Sequence, residues 1–177
     1  MTHKVPRMDD AESAAWLGLM SVCEVLPSAL DAQLQRDAGI THYEFMVLST
    51  VRLAPESTMR MSHVARATNA TLPRLSHVCS RLEKRGLVER LPCAGDKRAT
   101  NLHLTTAGRA VLIRSIPGHI ATARELVIDA LTPEQLDQLA SITTVIDARL
   151  MVEQRARLGN AGLPSEPPPV VTVNIEG

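Results

Sequence analysis

Residues Thr71–Thr105 read TLPRLSHVCSRLEKRGLVERLPCAGDKRATNLHLT. The first half has a helical period: Leu72, Leu75, Cys79 and Leu82, joined by Val78, share one face, and Arg74, His77, Arg81 and Lys84 share the other. Thr71 opens this helix, and Gly86 ends it just after Arg85. The second half changes period. Two short runs, Leu87–Leu91 and Asn101–Leu104, flank a turn containing Gly95 and predict a hairpin. A turn needs no cations to close, yet Lys97 and Arg98 sit at its tip.

Upstream, Thr58-Met59-Arg60 reads as a short extended piece, and Ser62 as the cap of a brief helix through Ala67, broken by Thr68-Asn69-Ala70. Before it, Thr41 and Glu44 form a capping box for a helix from His42 to Leu53, with Phe45, Leu48 and Val51 or Arg52 on its stripe and Pro55 as its stop. A first helix, about Glu12 to Gln35, carries Trp16, Leu19, Met20, Cys23, Leu26, Leu30 and Leu34; Pro27 predicts a kink or break, and Gly39 a C-cap. Downstream, a helix from Thr106 to Asp129 should kink at Pro117-Gly118. Thr132, Pro133 and Gln135 then open a last helix to about Arg157.

The expected class is mainly α, a helix-turn-helix with a wing. Residues 1–11 read as a flexible leader and 12–158 as one domain. In it, a winged helix at about 41–106 lies between terminal helices at about 12–36 and 106–157. Residues 159–177, with four prolines and no stripe, read as a flexible tail.

Composition narrows the function. Of 177 residues 45% are hydrophobic, but Trp16, Tyr43 and Phe45 are the only aromatics, so the core must be aliphatic. No unbroken apolar run reaches the roughly 18 residues of a membrane span, and the first dozen residues lack a signal-peptide core, so a soluble intracellular protein with no membrane partner is expected. Zero net charge conceals segregation. Ten basic residues between Arg60 and Arg109 face only Glu83, Glu89 and Asp96, a net of +7 that the remainder must balance with −7. That middle third reads as an anion-binding segment.

Duplex DNA satisfies these features together. A helix fits the major groove, and Arg74, His77 and Arg81, spaced three and four apart, form one outward stripe. Thr71, Pro73 and Ser76 occupy the first turn, where base edges are approached, and Lys84 extends the basic face. Arg98 at a hairpin tip suits a narrow minor groove, with Lys97 beside it and Asp96 close enough to restrict its aim. A winged-helix protein-interaction module would not need cations aligned on helix and wing together. His42-Tyr43-Glu44 with Pro92-Cys93-Ala94-Gly95-Asp96 approaches a zinc-deaminase pattern, but Asp96 stands where the second cysteine belongs, so no enzyme is expected. The six histidines form no compact ligand pair, and neither a metal nor another cofactor is expected.

In SRLEKRGLVER (Ser80–Arg90) and DKRATNLHLTTAGR (Asp96–Arg109) the chain resembles the MarR family of bacterial winged-helix regulators. The second stretch matches the family's D-x-R-x(5)-L-T, followed after two residues by Gly108, and the likeness runs from about Ser13 to Arg149. It departs at Cys93-Ala94-Gly95, where acidic residues usually precede the motif, and at His77, where Arg is common. The resemblance implies a homodimer with interlocked terminal helices, a recognition helix at Thr71–Lys84, Arg98 as wing-tip arginine and Asp96 as its partner. It also implies cytoplasmic repression from a pseudo-palindromic operator, with release by a small phenolic or anionic effector. Trp16, His42, Tyr43 and Phe45 are candidates to line the effector cleft, or to be packing residues. Some relatives sense oxidants through a first-helix cysteine. The apolar neighbours of Cys23 favour a buried small hydrophobe, Cys79 reads as core, and Cys93 on the turn is the better redox candidate.

Overall fold

This computed structural model describes residues 7–93 and 96–158, without the side chains of Lys97, Arg98 and residues 153–158. The turn residues Ala94 and Gly95, most of the leader and the Pro-rich tail lie outside the described residues.

Helix α1 spans Asp10–Ala38. It starts two residues before its sequence reading because Asp9 caps it: Glu12 N–H donates to the Asp9 carboxylate at 2.8 Å, and Asp9 N–H to Glu12 at 2.9 Å. Pro27 neither ends nor splits the helix. One missing i→i−4 bond is tolerated in a helix of 29 residues whose C-terminal part packs on later elements. Gly39 closes it at φ 62°. Helix α2, His42–Arg52, begins with the expected box: Thr41 Oγ1 accepts from Glu44 N–H at 3.1 Å, and Glu44 accepts from Thr41 N–H at 2.9 Å.

Strand β1, Thr58–Arg60, leads into helix α3, Met61–Ala67. Arg60, not Ser62, holds the N-cap position of α3, without a side-chain capping bond. The break before the next helix falls on Asn69, at φ 48°. Helix α4 spans Leu72–Lys84, capped by Thr71. Its apolar stripe is Leu75, Val78, Cys79 and Leu82, all buried; Leu72, placed on that stripe from the sequence, is 49% exposed in the first turn. Strands β2, Val88–Cys93, and β3, Asp96–Leu104, are longer than read from the sequence and form an antiparallel sheet in the order β1-β3-β2. Leu102 pairs with both Met59 and Arg90, so the central strand carries the sheet's fully buried residue into the core.

Helix α5, Thr106–Ala123, continues through Pro117 and widens into a π-helical turn at Arg124–Ile128. Gly118 marks a close approach, where a kink was expected: a Cβ there would lie 2.5 Å from Asp37 Oδ2 and 2.9 Å from Gln33 Nε2 of α1. Gly108 is likewise forced, since a Cβ would collide with the Leu87 carbonyl oxygen. This glycine thus allows α5 to pass close to the Leu87 backbone just before β2. Helix α6, Pro133–Leu158, opens with Thr132 N–H donating to Gln135 at 2.9 Å and Gln135 N–H to Thr132 Oγ1 at 3.3 Å.

The core is aliphatic as composition required, built on Leu34, Ile40, Leu48, Val51, Leu75, Leu82 and Leu102. The terminal helices leave apolar side chains outside it. Trp16, Leu17, Val22 and Val25 of α1 and Ile142, Val145, Leu150 and Val152 of α6 are about half exposed or more. Cys23 is exposed beside them, contrary to the burial expected of it, because this face of α1 has no cover among the described residues. By length and apolar content α1 would suffice to cross a membrane, although no unbroken apolar run signals it.

Gly108→Val should lower stability by about 1–3 kcal/mol, because the added carbons must displace the Leu87 backbone. Urea unfolding at fixed protein concentration measures it, and an unchanged midpoint would contradict the close approach.

Candidate nucleic-acid interface

Helix α4 shows how a basic helix is aimed. Thr71 Oγ1 accepts from Arg74 N–H at 3.4 Å, and Pro73 occupies the first turn, where backbone donors lack intrahelical partners. The Arg74 guanidinium lies 4.8 Å from the centroid of the Tyr43 ring. The Tyr43 hydroxyl is 3.0 Å from Thr68 Oγ1, which donates to the Val64 carbonyl at 2.8 Å. Tyr43, read from the sequence as either a cleft or a packing residue, is therefore a platform that ties Arg74 to α2 and α3. Arg74, His77 and Arg81 line one open depression of about 480 Å³ with Thr41, Tyr43 and Val78.

Several cations of the middle segment are already paired. Arg81 lies 3.3 Å and Arg85 3.8 Å from the carboxylate of Glu44, itself buried at the start of α2. Its two oxygens also serve the helix cap and these guanidinium groups, which offset the cost of burying the charge. Arg90 on β2 reaches Ser76, Ser80 and Glu83 of α4. Arg60 lies 3.6 Å from Asp96 and donates to Cys93 Sγ at 3.3 Å.

The wing has a tie that its sequence reading did not include. Asp96 is braced from β1 by Arg60, while any pairing with Arg98 lies outside the described residues. The backbones of Lys97 and Arg98 belong to β3; their side chains also lie outside the described residues. Cys93 ends β2, partly buried against Arg60, where a position on an exposed turn was expected. Cys79 is core, and burial pushes its thiol up to about 11, which leaves little thiolate at neutral pH.

The four candidate cleft residues do not converge. Trp16 stays 48% exposed on α1, and Tyr43 serves α4. His42 and Phe45 instead meet His119 of α5, at ring-centroid distances of 6.1 Å and 4.4 Å. His119 was not singled out from the sequence. Its signal was a lone imidazole next to a Pro-Gly pair that suggested only a bend. His42 N–H donates to Asp31 of α1 at 2.8 Å, so the cluster joins α1, α2 and α5. His119 Nδ1 and Gln33 Oε1 are buried there without a hydrogen-bond partner. Among the described residues no three His, Cys, Asp or Glu side chains are grouped to hold a metal.

Comparison with known proteins agrees with this geometry. The MarR family model matches residues 38–99, from the end of α1 into the wing. The structure superposes on Sco3205, a MarR family transcriptional regulator from Streptomyces coelicolor solved in complex with DNA, with a TM-score of 0.77 and 36% identity, covering 82% of this chain and 91% of that one. It superposes on AbsC, a MarR family transcriptional regulator from the same organism, with a TM-score of 0.78 and 32% identity, covering 83% and 99%. The Escherichia coli transcriptional repressor MprA is 30% identical over 112 residues; the match spans 63% of this chain and 63% of that relative's length.

The histidine pair has a pH consequence. Burial lowers the pKa of His42, against the opposing pull of Asp31; burial and the neighbouring His42 lower that of His119. In the unfolded chain both titrate near 6.5. Below that pH the unfolded state binds protons that the folded state refuses, so stability is complete above about 6.5 and declines as pH falls toward the lowered folded values. The melting temperature should drop between about pH 7.5 and pH 5.5, and the drop should shrink in His119→Gln. An equal drop in both proteins would refute the assignment.

Proposed function

This chain belongs to the MarR family, and from that membership we propose that it is a sequence-specific, double-stranded-DNA-binding transcriptional regulator. It acts in the cytoplasm as a homodimer and represses from a pseudo-palindromic operator. The observation that carries this reading is the basic stripe of Arg74, His77 and Arg81 on the open face of α4, with the wing hairpin beside it. In this reading Thr71, Pro73, Ser76 and His77 approach base edges in the major groove. Arg74, Arg81 and Lys84 contact phosphates, and Lys97 and Arg98 enter the adjacent minor groove. Asp96 orients the wing through Arg60.

The exposed apolar faces of α1 and α6 support a second copy as the missing cover, since residues 12–36 and 106–157 then become dimerisation helices. That assignment also accounts for the apolar length of α1 without a membrane. A two-fold dimer would set its recognition helices about 34–36 Å apart, in successive major grooves. A small phenolic or anionic effector would act at the junction of His42 and Phe45 with His119. It would release the operator only by preferring one spacing of the recognition helices over the other. A thiol-based response is the second reading, favoured by the guanidinium of Arg60 against Cys93 Sγ; Cys23 is the exposed alternative.

Selection from random duplex DNA supplies an operator on which the reading is tested. Binding should weaken steeply with salt through counterion release. Arg98→Ala should cost about tenfold or more in affinity and lower the salt slope by about 1, while the melting temperature stays within about 3 °C. His77→Ala should change preference among operators, whereas Lys84→Ala should weaken all duplexes alike. Salt-independent binding, or no binding to any duplex, would overturn the proposal.

A further inference from the structure

We infer that Arg90, whose guanidinium is turned onto acceptors of α4, is the positioning residue that sets the wing against the recognition helix. This inference rests on the DNA-binding reading above and adds to it a residue that determines how far wing and helix act as one unit.

Arg90 Nη2 donates to the Ser76 carbonyl at 2.7 Å and to Ser80 Oγ at 3.0 Å; Nη1 donates to Glu83 Oε2 at 2.8 Å. Its backbone N–H donates to Glu83 Oε1 at 3.2 Å. Residues 76, 80 and 83 are spaced i, i+4 and i+7, so one side chain grips a single stripe of α4 over two turns. The backbone of Arg90 is paired with Leu102, which has no exposed surface, so the grip is fixed to the sheet at its other end.

The wing needs such a strut. Strand β1 supports β3 only at residues 101–103. Beyond Leu91, which pairs with Asn101, the hairpin is two strands wide for the two residues to Cys93, about 7 Å at roughly 3.3 Å per residue. A two-stranded hairpin is only marginally stable by itself. Side-chain ties must therefore hold its direction, Arg90 of β2 to α4 on one side and Arg60 of β1 on the other. A planar guanidinium can engage a carbonyl, a hydroxyl and a carboxylate at once; a lysine ammonium is a point charge and cannot hold the same fork.

A structural role alone does not account for this arrangement. The joint between α4 and β2 is already packed by Leu82, Leu87 and Val88, each at most 5% exposed. An ion pair whose side chains are 27% and 38% exposed adds little to that core. The guanidinium is turned onto α4 acceptors, with Nη1 on Glu83 and Nη2 on Ser76 and Ser80.

A double-mutant cycle tests the inference on the full chain, with affinity for a selected operator measured at one salt concentration and melting temperature recorded alongside. Arg90→Lys should lose about tenfold in affinity with little change in melting temperature, and Arg98→Ala a comparable amount. The combined variant should be hardly weaker than either single one, since a wing already misdirected has no minor-groove contact left to lose. Losses that multiply would overturn the role of Arg90. If Arg98→Ala alone leaves affinity unchanged, the wing reading itself fails, and the inference with it. Should Arg90→Lys not fold, Glu83→Gln removes the charge partner from the solvent edge of α4. Non-additivity with Arg98→Ala then supports the inference, and additivity overturns it.

Discussion

Helix α4 must bury one stripe and keep the opposite one charged in water. Leu75, Val78, Cys79 and Leu82 anchor it to an aliphatic core, and on a helix this fixes the direction of Arg74, His77 and Arg81. The other elements are arranged around that requirement. Helix α2 contributes Phe45, Val47, Leu48 and Val51 to the same core, and α3 and β2 pack against α4.

Packing sets which side faces out, but it does not hold long cationic side chains. Electrostatic and aromatic tethers do that here, each acting between elements. Tyr43 of α2 supports Arg74, buried Glu44 of α2 restrains Arg81 and Arg85, and Glu83 receives Arg90 from the wing. Individually such contacts contribute modestly. Their value lies in reducing the freedom that the side chains would otherwise lose on binding a polyanion. The segment's formal excess of positive charge is in part internal scaffolding.

The terminal helices follow a different rule. Their apolar side chains face outward, and α5 joins them to the winged helix through a junction holding two imidazoles whose pKa burial lowers. Unsatisfied Gln33 Oε1 and His119 Nδ1 place the poorest hydrogen bonding of the described residues at this joint. A joint of that kind is held by packing more than by polar bonds.

Periodicity, caps and one motif made most of the fold legible before any coordinates. The boxes at Thr41 and Thr132, the cap at Thr71, the stripe of α4 and the hairpin are local features, encoded within a few residues of where they act. Pro27 and Pro117-Gly118 misled, because whether a helix survives a proline depends on what packs against it, and Gly118 answers to Asp37, 81 positions away. The same holds for the site. The basic stripe was determined by spacing alone. The partners of its charges (Glu44 for Arg81, Arg60 for Asp96, Arg90 for Ser76 and Glu83, His119 for His42 and Phe45) were decided only by tertiary structure. A sequence specifies local geometry through short-range sterics and hydrogen bonding, whereas a charge pairs with whatever the folded chain brings within a few ångströms of it.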